Sequence, residues 1–518
     1  MKKIFTAVFA TVLVLASCTN LDEQIYSQIP KDVFLSDDNN LALYTARPYT
    51  MLQNWGAEQS MWTLIMQVSD EVAVPKSWDG SWGEPRYGEL QRHEIPTSNK
   101  LVRLGWEFCF NGISACNDAI YSLENSGELT EGKIKNIADI KVLRAYYYLL
   151  AVDCFGNVPY SVNKAETGYP EQKPRTEMLE WIEKEINDNI EFLTEVPSAE
   201  TYGRVTKDMA KFLLAKIYLN SEVWTGRARW AEAEQVCKSI IESGHFSLTS
   251  DYKDNFKINN ENSPEAIFAI PYSSVYTKSC FYPFAITLNS DLAKIWSIGD
   301  TWNGTFMGQP DFMATYEQGD LRKAATWLFG DVYDTNGKRW QYSAGVDTDG
   351  KPIMKDYSLE DINISEDKYK NGLDRLDGAR IIKWPYQSDG TLNSYQISME
   401  NDFILMRYAD VVLMYVEALV RQNKAAAAAD VAEFKAIRTR AGLQPMTAAH
   451  LTLDNLLIER QHELAIEGWE RQDLIRFGKY LRKWWAKDEC DEHVLIFPIP
   501  EQMIGSNPNL KQNPGYGI

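Results

Sequence analysis

Apolar residues recur at helical spacing through two long blocks of this chain, and only a fold that pairs helices can bury them. From Leu104 the pattern runs through "GWEFCFNGISACNDAIYSL" (Gly105 to Leu123) and "TEGKIKNIADIKVLRAYYYLLAVDCFG" (Thr130 to Gly156). Apolar side chains at i, i+3, i+4 and i+7 make one face of a helix, and that face needs a partner. Thr130 has the side chain of an N-cap with Glu131 behind it, and Gly156 marks the stop. "TEMLEWIEKEINDNIEFL", "TKDMAKFLLAKIYLNSEVW" and "ARWAEAEQVCKSIIESG" extend the block to residue 246. A second block opens at Asp402 with "DFILMRYADVVLMYVEALVRQ", passes through the alanine-rich stretch from Ala425, and is predicted to close on one long helix from Leu453 to Trp485.

The joints inside each block are short, and small alanines on "AKIYL" and "RWAEAEQV" let neighbouring helices approach, a pattern that resembles degenerate tetratricopeptide units. The predicted fold class is therefore mostly α, a helix-pair scaffold at about 104–246 and 402–485. Two loop-rich regions complement it, at about 55–103 and 247–401. In the second, "YDTNGKRWQY" and "VDTDGKPIM" set Asn-Gly or Asp-Gly between strand-like runs and predict short hairpins.

Both loop-rich regions hold large aromatic residues that no helix or strand pattern accounts for. "VAVPKSWDGSWGEPRYGEL" (Val72 to Leu90) sets Trp78 and Trp82 among Pro75, Gly80, Gly83 and Pro85, which break regular structure. "SCFYPFAITLNSDLAKIWSIGDTWNGTFMGQPDF" (Ser279 to Phe312) carries Tyr282, Trp296 and Trp302 in similar company. Trp181, Trp224 and Trp230 lie in helical repeats and are expected in the core, whereas Trp384, Trp484 and Trp485 fit neither set.

At the N-terminus Lys2 and Lys3 precede an apolar run, Ile4 to Ala16, of signal-peptide length and shorter than the ~20 residues that span a bilayer. The run ends in "LASC", which looks like a bacterial lipobox with Cys18 as the lipidated residue. The expected organisation is a signal peptide at 1–17 and a single domain at 18–518, anchored through lipid and otherwise soluble. Hydrophobic (45%) and charged (24%) fractions are those of an ordinary globular protein, and the net charge of −19 argues against nucleic acid or anionic lipid as a partner. The remaining cysteines, Cys109, Cys116, Cys154, Cys237, Cys280 and Cys490, form no CxxC motif and read mostly as buried small hydrophobes.

Catalytic and metal-binding motifs fail on inspection. "GVDTDGK" (Gly345 to Lys351) has the outline of a P-loop, but Pro352 stands where a magnesium-binding Ser or Thr belongs, and a hairpin turn explains it better. "HELAI" (His462 to Ile466) starts like a zincin helix, yet Ile466 replaces the second histidine. Five dispersed histidines and the lack of a GxSxG elbow leave no basis for a metal, a cofactor or a nucleophilic triad. A glycosidase carboxylate pair cannot be picked out by spacing among 72 acids. The conspicuous ones, Glu459, Glu463 and Glu467, interleave with Arg460 and Arg471 and read as ion pairing along one helix face.

"LASC", "FILMRYADVVLMYVEAL" (Phe403 to Leu419), "ERQHELAIEGWERQDLIRFGK" (Glu459 to Lys479) and "FPIPEQMIGSNPNLKQNPGY" (Phe497 to Tyr516) together resemble the SusD/RagB family of outer-membrane nutrient-binding lipoproteins. The resemblance runs from Cys18 to the C-terminus. It implies a SusD-like, tetratricopeptide-like scaffold, a ligand site in the loops, no catalysis, and a SusC-like TonB-dependent transporter as partner. Asp22 and Glu23 resemble the acidic tag that sends such lipoproteins to the cell surface. In similar proteins loop aromatics form a platform for oligosaccharide, which implies roles for Trp78, Trp82, Tyr282, Trp296 and Trp302, with Asp70, Asp79 and Asn303 as neighbouring polar groups. The physics agrees, because the C–H face of a pyranose stacks on an indole while its hydroxyl rim needs donors and acceptors. Peptide capture by the same type of complex is the alternative within the family, and a glycoside hydrolase is a third reading.

Overall fold

The computed structural model describes residues 38–57, 59–75, 85–164, 167–195, 198–273, 275–277, 287–296, 306–359, 364–371, 376–386 and 399–517. The chain enters through helices α1 (Asp38–Tyr44), α2 (Ala46–Thr50) and α3 (Met61–Gln67), then a two-residue strand β1 (Val72–Ala73) and helix α4 (Pro85–Gln91). Region 55–103, expected to be loop-rich, holds helices α3 and α4 and strand β1 among its described residues. Every residue of α3 is buried, and the Ser60 hydroxyl accepts the Thr63 N–H as its N-cap.

The first scaffold block comprises α5 (Lys100–Glu124), α6 (Glu131–Phe155), α7 (Arg175–Asn189), α8 (Lys207–Thr225) and α9 (Trp230–Ser243). Thr130 caps α6 by accepting the Lys133 N–H, and Gly156 ends it at a φ of 71°. Neighbours α5 and α6, α6 and α7, and α8 and α9 pack side by side. Gly112 of α5 is essential to the first pair, since a Cβ there would lie 2.3 Å from the Tyr147 ring of α6. That ring is fully buried, and its hydroxyl donates to the Pro48 carbonyl, 2.9 Å away, tying the pair to α2. Cys109 and Cys116 share α5 and, with Cys154 and Cys237, are buried as free thiols. Trp224 is buried as expected, while Trp181 and Trp230 are half-buried against the core.

Strand β2 (Ala266–Ile270) opens the central region, followed by β3 (Met307–Gly308), β4 (Trp327–Leu328), the hairpin β5 (Gln341–Val346) and β6 (Pro352–Asp356), β7 (Arg380–Ile381) and β8 (Phe403–Arg407). The pairings are antiparallel: β1 with β3, β2 with β8, β4 with β7, β5 with β6. Both predicted hairpins form. Gly350 N–H donates to Asp347 O between β5 and β6, and Tyr333 bridges Arg339 around the Asn-Gly turn. The P-loop outline is therefore a hairpin turn.

The second block differs from expectation in two places. Residues 403–407, expected to be helical, form β8, because this short apolar run is buried beside β2, and helix α10 (Tyr408–Arg421) starts only after it. After α11 (Ala425–Asp430) and α12 (Ala432–Arg440), the predicted long helix is instead α13 (Leu453–Glu463) and α14 (Glu470–Arg476). Between them Ile466 adopts a φ of 67°. Its N–H donates to Glu71 at 2.7 Å and its carbonyl accepts the Trp62 indole N–H at 2.8 Å, so α3 and its exit claim the backbone groups a continuous helix would use.

The break also reorganises the charges. Glu459, Glu463 and Glu467 do not pair along a helix face; they are buried and meet cations from elsewhere in the chain. Arg407 donates to Glu265 (2.7 Å), Glu463 (2.9 Å) and Glu467 (2.9 Å); Arg322 reaches Glu459 (2.6 Å) and Asp320 (2.8 Å); Lys383 reaches Glu467 (2.7 Å). Arg460 pairs with Asp473 (2.7 Å) and Asp410 (2.9 Å), and Arg471 with Asp153 (3.2 Å). Burial alone would raise the Glu265 carboxyl, but Arg407 and Arg440 overcome it and hold it at about 2. His462 of the zincin-like stretch is buried, stacked on Tyr316 with ring centroids 4.0 Å apart, and shares a hydrogen bond with Thr315. Among the described residues no cluster of His, Cys, Asp and Glu could hold a metal ion, and no helix is long and apolar enough to cross a membrane.

Candidate functional site

Trp78, Asp79, Trp82, Tyr282, Trp302, Asn303 and Cys18 lie outside the described residues. What the structure shows is where the segments that carry the aromatics are rooted. Segment 76–84 leaves from β1 and segment 297–305 rejoins at β3, and these strands pair directly, Val72 with Gly308 and Ala73 with Met307. Regions more than two hundred residues apart in sequence thus enter their loops side by side. Gly308 leaves room for the core behind this pairing, since a Cβ there would meet the Met313 sulfur at 2.9 Å and the Trp327 ring at 3.0 Å. Gln309, fully buried, locks the pairing: its side-chain amide donates to Ser69 O (2.9 Å) and Val72 O (3.0 Å), and its backbone N–H to Glu71 O (3.0 Å).

The far end of segment 76–84 is held as firmly. Tyr87 of α4 meets Phe306 edge-on with ring centroids 5.8 Å apart, and Arg86 donates to the Gln59 side chain at 3.2 Å. Segment 278–286, which carries Tyr282, is approached through Tyr272. The Tyr272 hydroxyl donates to Gln53 O (3.0 Å) and accepts the Gly56 N–H (3.3 Å), while its own N–H donates to Asp402 at 2.8 Å. Burial pushes the Asp402 carboxyl up to about 6, against the lowering effect of that N–H. Gln53, Gly56 and Gln59 therefore touch the roots of two aromatic segments, and the β1–β3 pair joins in the third. Tyr276, 88% exposed beside exposed Val275, stands just before segment 278–286.

Of the expected site residues, two are described. Trp296 is half-buried and packs on the core at the entrance to segment 297–305, after a short helix whose N-cap Asn289 donates to the Tyr357 hydroxyl at 2.7 Å. Asp70, expected to face sugar, is placed inside. Its carboxyl accepts from Arg482 (3.2 Å) and Gln461 (3.4 Å), and burial raises it above the ordinary carboxyl range despite Arg482. These contacts tie the chain just before β1 to the C-terminal block. Sequence reading missed Gln309, Tyr272, Gln59 and Arg86, since no local pattern distinguishes a glutamine or tyrosine that ties distant loops together; for Tyr276, its place among turn residues just upstream of Tyr282 was the available signal. Trp384, Trp484 and Trp485 are all buried, Trp384 stacked on Phe403 with centroids 5.4 Å apart.

Comparison with known proteins matches this arrangement to one group. Residues 242–494 match the "SusD family" model and residues 21–219 match "Starch-binding associating with outer membrane". The starch-binding protein SusD of Bacteroides thetaiotaomicron is 28% identical over 453 residues, 82% of this chain and 81% of that protein. A SusD-like protein of Bacteroides ovatus is 24% identical, over 93% and 83% of the two chains. Among solved structures, surface glycan-binding protein A of Bacteroides thetaiotaomicron in complex with laminarihexaose superposes with a TM-score of 0.72 at 21% identity, covering 92% of this chain and 99% of the other. A laminarin-binding SusD-like protein gives 0.73 at 20% identity with the same coverage. Both blocks of the sequence and the tetratricopeptide-like fold are thus accounted for together, and the chain belongs to the SusD/RagB family.

Proposed function

We propose that this protein is a non-catalytic, lipid-anchored receptor on the outer membrane, facing the cell exterior. It captures oligo- or polysaccharide on its loop aromatics and delivers it to a SusC-like TonB-dependent transporter for import. The observation that carries the reading is the convergence of roots: β1 pairs with β3, while Gln53 and Gly56 hold Tyr272 and Gln59 holds Arg86. The described ends of the three segments that bear Trp78, Trp82, Tyr282 and Trp302 are tied together by these contacts, which supports reading those aromatics as one stacking platform. Trp296 marks the rim, and Asp79 and Asn303 supply polar groups for sugar hydroxyls. Relatives named for starch and laminarin make glucans the first ligands to test. The chemistry needs no cofactor or metal. The conspicuous acids of the helical block are spent on buried arginines, which supports binding without hydrolysis.

Affinity electrophoresis through gels containing starch, laminarin and other polysaccharides tests the reading. Retardation by at least one glycan, with no new reducing ends released, is the expected result; steady turnover, or retention of peptides and no glycan, would overturn it. Cys18→Ala should release the folded protein from the membrane fraction, as measured by detergent partitioning.

A further inference from the structure

The chain around Gln53, Gly56 and Gln59, which gathers the loop roots, also forms one wall of a cleft of about 240 Å³ against helix α5. Leu104 and the edge of Phe108 contribute apolar surface to it, while Asn54 and Asn111 line it from exposed positions. Glu107 adds a carboxylate, fixed by Arg103 at 2.6 Å. Gln59, which lines the same cleft, is the residue that accepts the Arg86 hydrogen bond at 3.2 Å, so the cleft adjoins the exit of segment 76–84.

We infer that this cleft is an additional saccharide subsite, which takes one sugar ring of a glycan chain continuing beyond the loop aromatics. The inference rests on the proposed glycan-binding function. The cleft is smaller than the ~300–1,000 Å³ of pockets that enclose a whole drug-sized ligand, so it suits one unit of a longer chain. Each amide offers a donor pair and an acceptor, matching vicinal hydroxyls that both give and receive, and a carboxylate adds a strong acceptor. Apolar surface beneath polar groups suits the C–H face of a pyranose. The Arg86–Gln59 contact links the cleft to the point where the described chain resumes after segment 76–84.

The test is chain-length dependence of affinity, measured by calorimetry with laminari- and malto-oligosaccharides of three and six units. Wild-type protein should bind the hexasaccharide of its preferred series more tightly than the trisaccharide. The double variant Asn54→Ala, Asn111→Ala, whose changes lie on exposed positions, should keep the wild-type melting temperature and trisaccharide affinity. Its hexasaccharide affinity should fall about tenfold, the effect of losing hydrogen bonds at two amides. Asn111→Arg, which crowds the cleft, should produce the same selective loss. Unchanged hexasaccharide affinity in both variants would overturn the subsite and leave the glycan function standing. Wild-type protein that binds neither series nor any polysaccharide would overturn the glycan function and the subsite with it.

Discussion

The buried junction around Arg407 and the hairpin at β5–β6 are built on opposite terms. At the junction, Arg407 of β8, Arg440 of α12 and Arg322 of the short helix Leu321–Thr326 meet Glu265, just before β2, and Glu463 of α13, with little of any of these side chains left in water. In the hairpin nearly every side chain is exposed, including Val346, Ile353 and Met354, and only its base is fastened, by Trp340 to Asp291 O and by Tyr342 against Tyr357. An ion removed from water must find its exact counter-ions or the chain does not close, so the junction fixes which distant segments meet. The hairpin asks only for turn chemistry. The contrast teaches that stability and register are concentrated beneath the loops, leaving the periphery free of that duty.

The strongest way to break the contrast is Arg407→Met, which leaves Glu265, Glu463 and Glu467 short of a partner and should cost about 3–5 kcal/mol in denaturant unfolding. A loss below ~1 kcal/mol would reduce the junction to the rank of surface pairs and erase the distinction. Trp224→Ala, a cavity in the scaffold, should cost a similar ~3–5 kcal/mol.

Acidity sharpens the comparison. Glu265 is depressed to about 2, so its contribution is present above its ordinary 4.5 and is lost as pH falls through 2. Asp402, beneath the Tyr272 root, is raised to about 6 from 3.8, so the folded state binds the extra proton and its contribution shrinks as pH climbs between those values. Asp402→Asn should flatten that limb of the stability curve by about 1–3 kcal/mol while leaving the acid limb intact. Identical pH profiles for variant and wild type would refute the assignment.

Smaller effects are expected at the platform. Trp78→Ala, Trp82→Ala or Trp302→Ala should each weaken glycan binding by about 1–2 kcal/mol, roughly ten- to thirtyfold, with the melting temperature unmoved. Melting losses that match the binding losses would recast these indoles as plugs between loop and scaffold. Least of all, Val346→Thr with Met354→Thr should alter stability by no more than ~0.5 kcal/mol, as exposed positions do.

The parts legible in the sequence are those that local chemistry decides. Thr130, Gly156 and the Asn-Gly and Asp-Gly turns announce themselves because caps and turns are settled by the nearest few residues. Phe403–Arg407 misled because a short apolar run fits a buried strand as well as a helix, and only β2 chooses between them. The break at Ile466 was hidden for a related reason, since its cause, Trp62 and Glu71, lies some four hundred residues away. At the site, composition exposed the aromatic segments, yet the two-residue pairing of β1 with β3 is too short to leave any periodic trace, and Gln309 looks like any other glutamine. Asp70 was misjudged because an acid beside a loop reads as exposed until Arg482 and Gln461 are seen around it.

The β1–β3 pairing has an evolutionary corollary. The two rungs and the Gln309 clasp that hold β1 to β3 lie outside both loops, so the stretches between Pro75 and Pro85 and between Trp296 and Phe306 can be lengthened, shortened or exchanged while their entry points stay in place. If these loops carry the ligand site as proposed, new specificities are acquired by splicing at fixed seams, without rebuilding the charged keystone underneath. On the proposed glycan-binding reading, a lineage facing a changing diet of polymers inherits, in this seam, a means of changing its taste at little risk to its fold.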